Sequence, residues 1–446
     1  MEESWGMREF KACAVEDRRE SKSLALMADK LLEHPELAFS SAVGSGLRRA
    51  AWRIFSKEEV DISCGHYQQT ARRCQEYDVV LVSQDTSDLS YPTHHATEGL
   101  GDLGGGRGGV NPGLCLHSAL AMSQRGLPLG LVGQKLWAPV AAGRPERHRK
   151  YPLEEKENYC WVEALQWVKK YLSGVKQVVV VSDRDSDFYE YFSSPRPANV
   201  ELLLRVHHLR RYVYCRGERM PLGTASFAGS AQVPVFLPGT RQRKERTARL
   251  EVSWGQVVCP PPSDKKGEPV ALWLVKAVEL SPPAGEEPIA WYLLTTVQVE
   301  EEATALLMLD YYRRRWVIER WHLVLKDGLK AERLQFDSFR RLSNAIAMLS
   351  VVAWRLLWLK HLAAHSPEAE AAHVFEPLHI QVLEQQTGKT RMTVKAALVT
   401  IAALAGFTPS KKQPLPGEKT IWRGWNIFSS ICKGYKLAIQ KSYGTR

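Results

Sequence analysis

DYYRRRWVIERWHLVLKDGLK, residues 310–330, is the stretch on which the reading of this chain turns. Tyr312, Arg315, Glu319 and Lys326 follow one another at separations of 3, 4 and 7 residues. At about 3.6 residues per turn, the four fall within an arc of roughly 60° on one helix. The spacing predicts a helix face that presents a phenol, a guanidinium, a carboxylate and an ammonium. Arginine grips a phosphate through two parallel N–H donors, and lysine supplies a point charge. A carboxylate flanked by such groups suits phosphodiester chemistry. A solvated helix laced by i,i+4 ion pairs uses the same charges, but it has little need of Tyr and Trp interleaved with Arg.

A helix of this kind needs a sheet to work against, and the sequence upstream supplies strands. DVVLVSQD (78–85) reads as an apolar strand ending in Asp85, and VKQVVVVSDRDSD (175–187) as a second one ending in acids, the first of them Asp183. ELLLRVHH (201–208) is a third. LCLHSALAMS and LPLGLVGQKLWAP read as a hairpin turned at RGLPLG, and residues 157–173 as an amphipathic helix. Strand, hairpin, helix, strand, strand is the order of a mixed α/β sheet. From 209 to 300 short alternating runs separated by Pro and Gly predict an all-β insertion.

Residues at strand ends line the crevice of an open α/β sheet. Asp85 and Asp183 on neighbouring strands, with Glu319 on a helix packed across them, would therefore gather three carboxylates. Such a cluster repels itself unless a cation neutralises it. Oxygen ligands suit a hard ion such as Mg²⁺, and paired ions serve phosphodiester cleavage. Asp also forms turns after strands and Glu sits on many surfaces, so spacing alone leaves both readings open.

The flanks are helical. Apolar residues recur at helical spacing through residues 1–76, with Gly44 and Gly46 breaking the run. Arg48, Arg49, Arg53, Lys57, Arg72 and Arg73 give this segment a basic character that suits either DNA or solvent. Helices are also predicted over 339–364, 390–405 and 419–440. Of the 446 residues 44% are apolar, enough for a substantial core, and the net charge of +11 fits a polyanionic partner. No apolar run approaches the roughly 20 residues that span a bilayer. The charged start lacks a signal peptide's apolar segment, so a cytoplasmic, nucleoid-associated location is expected. The eight cysteines form no C-x-x-C pair, which points away from zinc fingers and disulfide frameworks. GDLGGGRGGV (101–110) lacks the G-K-[ST] ending of a phosphate loop. His94–His95 and His207–His208 are adjacent pairs that point to opposite faces of a strand, a poor arrangement for one metal. The runs RPERHRK (144–150) and TRQRKERTAR (240–249) suit either phosphate contacts or solvated loops.

With these motifs in place, the chain resembles the bacterial DDE transposases of the insertion-sequence-four group. Tyr312, Arg315, Glu319 and Lys326 match that group's Y-x(2)-R-x(3)-E-x(6)-K signature without a gap. QDTSDLSY (84–91) looks like its first-Asp motif and SDRDSDFYEYF (182–192) like its second, and the resemblance runs on to TIWRGWNIFSSICKGYKLA (420–438).

The resemblance implies an RNase H-like mixed-sheet catalytic core with a β-rich insertion, flanked by helical N- and C-terminal regions. The expected division is a DNA-binding domain over 1–76, the core in two parts over 77–208 and 301–365, the insertion over 209–300, and a dimerisation region over 366–446. It also implies that Asp85, Asp183 and Glu319 hold two divalent ions, Mg²⁺ or Mn²⁺. Tyr312, Arg315 and Lys326 would grip DNA phosphates, with Arg184 and Arg205 nearby, and Trp291 would stack on an extruded base. Arg48 and Arg49 belong to the helices expected to read the ends. The expected partners are transposon-end inverted repeats, target DNA and a second protomer, in cut-and-paste transposition through a hairpin intermediate. One departure stands out: the group often carries Glu two residues after the second Asp, and Asp185 occupies that place. The other readings are a relative of the same fold that binds DNA without cutting it, a nuclease that cuts without joining, and a purely structural helical and β scaffold.

Overall fold

In the computed structural model, residues 3–13, 17–35, 37–58, 60–104, 109–139, 152–227, 230–237 and 245–443 are described. The basic run 144–150, most of the run 240–249 before Arg246, and residues 105–108 of the glycine-rich stretch lie outside them. The chain forms two compact units. One comprises residues 1–76, 86–149 and 317–446, and the other residues 77–85 and 150–316.

Four helices open the chain: α1 (Trp5–Phe10), α2 (Arg18–Glu33), α3 (Phe39–Phe55) and α4 (Cys64–Cys74). Strand β1 (Val79–Ser90), the short β2 (Gly101–Asp102), β3 (Pro112–Ser123) and β4 (Pro128–Trp137) follow, then α5 (Tyr159–Leu172), β5 (Gln177–Ser182), α6 (Tyr189–Ser193) and β6 (Val200–Arg205). The next stretch is all strand: β7 (Tyr212–Cys215), β8 (Glu218–Pro221), β9 (Ser230–Leu237), β10 (Arg246–Cys259), β11 (Val270–Glu279) and β12 (Ala290–Thr295). Helices α7 (Glu302–Arg314), α8 (Trp316–Leu323), α9 (Phe339–His365), α10 (Pro377–Thr387), α11 (Val394–Ala403) and α12 (Glu418–Tyr443) close the chain. The architecture is mixed α/β with helices at both ends, consistent with an RNase H-like DDE core.

In the unit built around 150–316, the sheet is mixed. β1 and β5 run parallel in a register that pairs Val79 with Gln177 and continues through Ser83 with Val181. β6 lies parallel on the other side of β5, pairing Val200 with Val178. Val80, Leu81 and Val82 of β1 and the four valines of β5 are buried, as continuous β-branched stretches are in parallel sheets covered on both faces. α5 buries Trp161, Ala164, Leu165, Val168 and Leu172, one apolar stripe at helical spacing. Beyond β6 the pairing turns antiparallel. β12 pairs Leu293 with Arg205, β11 lies on β12, and β10 on β11. The last strand of the expected insertion thus returns to the core sheet beside the residue from which the chain departed.

The unit holding the chain ends is organised on α9. This is the one described helix long and apolar enough to cross a membrane, and 78% of its apolar window is buried inside the protein. The sequence expectation of no such stretch is corrected to that extent. Trp354 on α9 donates from Nε1 to Pro128 O at 3.2 Å, and Ser350 O accepts from Trp321 Nε1 at 3.1 Å. Near Trp354 lies a buried charge network. Glu9 meets His66 Nδ1 at 2.6 Å and Arg73 Nη1 at 2.7 Å, His66 Nε2 accepts from Leu131 N at 3.0 Å, and the Arg73 guanidinium lies 4.3 Å above the Trp354 ring. The hairpin β3–β4 turns at Gly126, whose φ of 87° is a left-handed conformation. Gly44, at φ 76°, breaks α3 where the sequence placed a break.

Two local expectations are corrected. β1 does not end at Asp85 but continues to Ser90, so Asp85 lies within the strand. The stretch 310–330 is not one helix either. α7 stops at Arg314, α8 begins at Trp316, and residues Val324–Gly328 form a π-helical turn closed by Leu329 N on Val324 O at 2.9 Å. A π turn changes the angular step per residue, so the single 60° face does not extend to Lys326.

Candidate active site

Asp85 lies in β1, and Asp183 directly follows the neighbouring parallel strand β5. Their positions lie two residues beyond Ser83 and Val181, the last pair in the β1–β5 register. The paired register ends there, so Asp85, still within β1, and Asp183, just past β5, lie at the same end of two neighbouring strands about 4.8 Å apart. Asp183 follows β5 directly and caps a short 3-10 turn, its Oδ1 accepting from Asp185 N at 2.9 Å.

A cation faces the first of these acids. Arg315 is nearly buried, and its Nη1 lies 3.6 Å from Asp85 Oδ2. Arg315 occupies the step between α7 and α8, where its N–H bonds to Tyr312 O at 3.1 Å, three residues back rather than four. That tightened step places Arg315 and Tyr312 on the wall of a single cleft of about 400 Å³, with Asp183, Arg184, Asp185, Arg205 and His207. Three guanidiniums against two carboxylates favour an anion. Burial pulls the Arg205 guanidinium below its ordinary pKa, the neighbouring Arg184 and Arg315 act in the same direction, and the Tyr312 hydroxyl opposes them.

Trp291 belongs to the same unit. It sits on β12 opposite Ala277, half-buried, with its ring 6.1 Å from that of Tyr312 in an edge-to-face arrangement. It lines a cleft of about 490 Å³ with Arg184, Arg205 and His207, residues that also line the cleft holding Asp183. An aromatic face beside guanidiniums can hold a base and the phosphate attached to it.

The other sequence-selected residues lie in the unit of the chain ends. Glu319 is half-buried on α8, between the buried Ile318 and Trp321. Lys326 is held in the π-helical turn, where its Nζ donates to Asp88 O at 2.5 Å and lies 3.6 Å from Glu332. Arg48 and Arg49 are exposed on α3. Among the described residues, no group of three or more His, Cys, Asp and Glu side chains is gathered closely enough to hold a metal ion. The chemistry of the Asp85 and Asp183 carboxylates, two hard oxygen donors at the same end of neighbouring strands, fits a divalent ion such as Mg²⁺.

Sequence reasoning missed two residues here. Asp187, the last acid of SDRDSD, is a buried anchor. Its Oδ2 accepts from His207 N at 2.8 Å and His208 N at 2.9 Å, while Arg211 Nη1 lies 2.6 Å from its Oδ1. His207, half of an adjacent pair ill suited to one metal, lines both clefts. Only the run of three acids in SDRDSD carried any hint of this division of labour.

Residues 157–355 match the family model described as the transposase DDE domain. The matched segment includes Asp183, Trp291, Tyr312, Arg315, Glu319 and Lys326, while Asp85, Arg48 and Arg49 precede it. The match supports a DDE transposase and transposase activity in general. That family generally uses divalent metal ions and acts on DNA.

Proposed function

We propose that this chain cuts DNA at the ends of a mobile element and joins the freed ends to target DNA. Asp85, Asp183 and Glu319 are the carboxylates that hold two Mg²⁺ or Mn²⁺ ions. The observation that carries the reading is the placement of Asp85 in β1 and Asp183 directly after β5, each two residues beyond the last β1–β5 pair, with Arg315 beside Asp85. When bound, such ions supply an activated water or 3′-hydroxyl and neutralise charge at the phosphate.

The chain's own groups do the rest. Arg184, Arg205 and Arg315 hold the phosphates flanking the cut, and Tyr312 and Lys326 fix their orientation. One strand is hydrolysed, which leaves a 3′-hydroxyl. That hydroxyl attacks the opposite strand, displaces its 5′ flank and closes a hairpin at the element end. Trp291 stacks on the base extruded at the hairpin. Hydrolysis of the hairpin restores the 3′-hydroxyl that attacks target DNA. The functional division places end recognition in residues 1–76, with Arg48 and Arg49 on phosphates, and protomer pairing in 366–446, all in the cytoplasm at the nucleoid.

The test uses the full chain with duplex DNA carrying the inverted repeats that flank its reading frame. Mg²⁺-dependent nicks, hairpins and joined products on a gel are expected. Cutting without joined products would reassign the chain to the nucleases, and salt-sensitive binding without cutting to the DNA-binding relatives.

A further inference from the structure

In the unit of the chain ends, a further cleft of about 360 Å³ is lined by the π-helical turn, the loop after it and the first turns of α12. Lys326, Lys330, Arg333, Lys419 and Arg423 surround it, against Asp327 and Glu332. Both acids are matched within the cleft. Lys419 Nζ is 2.9 Å from Asp327 Oδ2, and Lys326 Nζ is 3.6 Å from Glu332 Oε1. The exposed side chains of Arg333 and Arg423 add further cationic charge to the lining.

The cleft is built, not incidental. Trp422 is buried and forms its wall against Gly328, where even a Cβ would come within 2.9 Å of the indole. Lys330 holds a left-handed backbone at φ 53°, a conformation that disfavours any residue but glycine. These two features bring cations from distant parts of the sequence around one space. The chemistry selects the ligand. The indole is buried and offers no face for a base, and the lining is rich in N–H donors and charge. That is a surface for phosphate oxygens and not for base edges.

We propose that this cleft grips the sugar–phosphate backbone of duplex DNA as a second anchor, independent of sequence. The proposal rests on DNA being the substrate, and it adds residues assigned no role above: Lys330, Arg333, Lys419 and Arg423.

The experiment measures duplex affinity of the full chain by fluorescence anisotropy across a salt series. It compares wild type with Arg333→Ala/Arg423→Ala and with the charge-matched control Lys411→Ala/Lys412→Ala. Each phosphate contact contributes about 0.9 to the slope of log affinity against log salt. Loss of two contacts should lower the slope by about 1.8 in the first variant, with the melting temperature unchanged, and Arg333→Lys/Arg423→Lys should restore most of it. The control should keep the wild-type slope. An unchanged slope in the first variant, or an equal fall in the control, overturns the proposal. A parallel titration with inorganic phosphate at constant ionic strength separates the two sources of phosphate. Stabilisation of wild type alone by inorganic phosphate, with equal DNA affinity in both proteins, would mark a free-phosphate site and overturn the DNA assignment. Cleavage by wild type with no change of slope in the variant sinks this inference alone. A reduced slope without any cleavage leaves the anchor and removes the transposase reading.

Discussion

Asp85 and Asp183 each lie two residues beyond the last paired residues of two parallel strands, Ser83 on β1 and Val181 on β5, with Asp85 still inside its strand and Asp183 just past the end of its own. The proposed site makes these two carboxylates one catalytic unit. Asp85→Asn and Asp183→Asn should each lower single-turnover cleavage by about 10³-fold or more, and the double variant should lose little beyond either single one, since residues of one catalytic unit are non-additive. DNA affinity should hold or rise, because a negative charge leaves a phosphate-binding cleft. Multiplicative losses, or loss of binding, would argue against a shared site.

Trp291 offers a separable test. Stacking on one base is worth about 1–3 kcal/mol, so Trp291→Ala should slow hairpin formation by about 5- to 150-fold. First-strand nicking should stay near the wild-type rate, and Trp291→Phe should recover most of the loss. A time course on a denaturing gel resolves nicked from hairpin product. Equal slowing of both steps would return Trp291 to the role of a strand aromatic against Tyr312.

Asp187 should behave unlike Asp183. Its carboxylate is buried and meets two backbone N–H groups and Arg211. Removing one partner of a buried pair costs about 3–5 kcal/mol. Asp187→Asn should therefore shift urea denaturation by that order, whereas Asp183→Asn, on a half-buried cap, should leave stability within about 1 kcal/mol. A fully stable Asp187→Asn protein would contradict the anchoring role.

The Glu9–His66–Arg73 network sets an acid limit to stability. Burial alone would raise the Glu9 pKa, but His66 and Arg73 together hold it at about 2, below the ordinary 4.5. Burial also lowers His66, which Glu9 opposes. Both folded-state values are depressed, so both contributions are present above the unfolded values and are lost as pH falls. His66 begins to cost stability below about 6.5 and Glu9 below about 4.5. Glu9→Gln should destabilise the protein by about 3 kcal/mol at pH 7. The gap between wild type and variant should narrow as pH falls from 4.5 toward 2, measured by denaturant titration at each pH. A gap independent of pH would show that Glu9 contributes through packing alone.

The valine runs announced β1 and β5 plainly, because continuous β-branched stretches have few other uses, and the acids after them marked the strand ends from which the proposed site is built. The alternation of β10 and β11 was equally clear. What periodicity cannot carry is hydrogen-bond bookkeeping within a helix. The tightened step at Arg315 and the π-helical turn before Leu329 leave the apolar pattern of 310–330 intact, so they were invisible. Asp85 was misplaced at a strand end because TSDLS is polar, although its backbone keeps the extended conformation to Ser90. The separate parts of Asp183 and Asp187 depend on residues 207–211, which no reading of SDRDSD alone supplies.

The pairing of Leu293 with Arg205 has a consequence for how such chains diversify. The all-strand excursion leaves and rejoins the same edge at adjoining points, so descendants can trim, enlarge or swap it with little disturbance to the scaffold it springs from. Arg205 at its root and Trp291 just ahead of its return line one cleft, so an exchanged module would still have to meet Arg205 there.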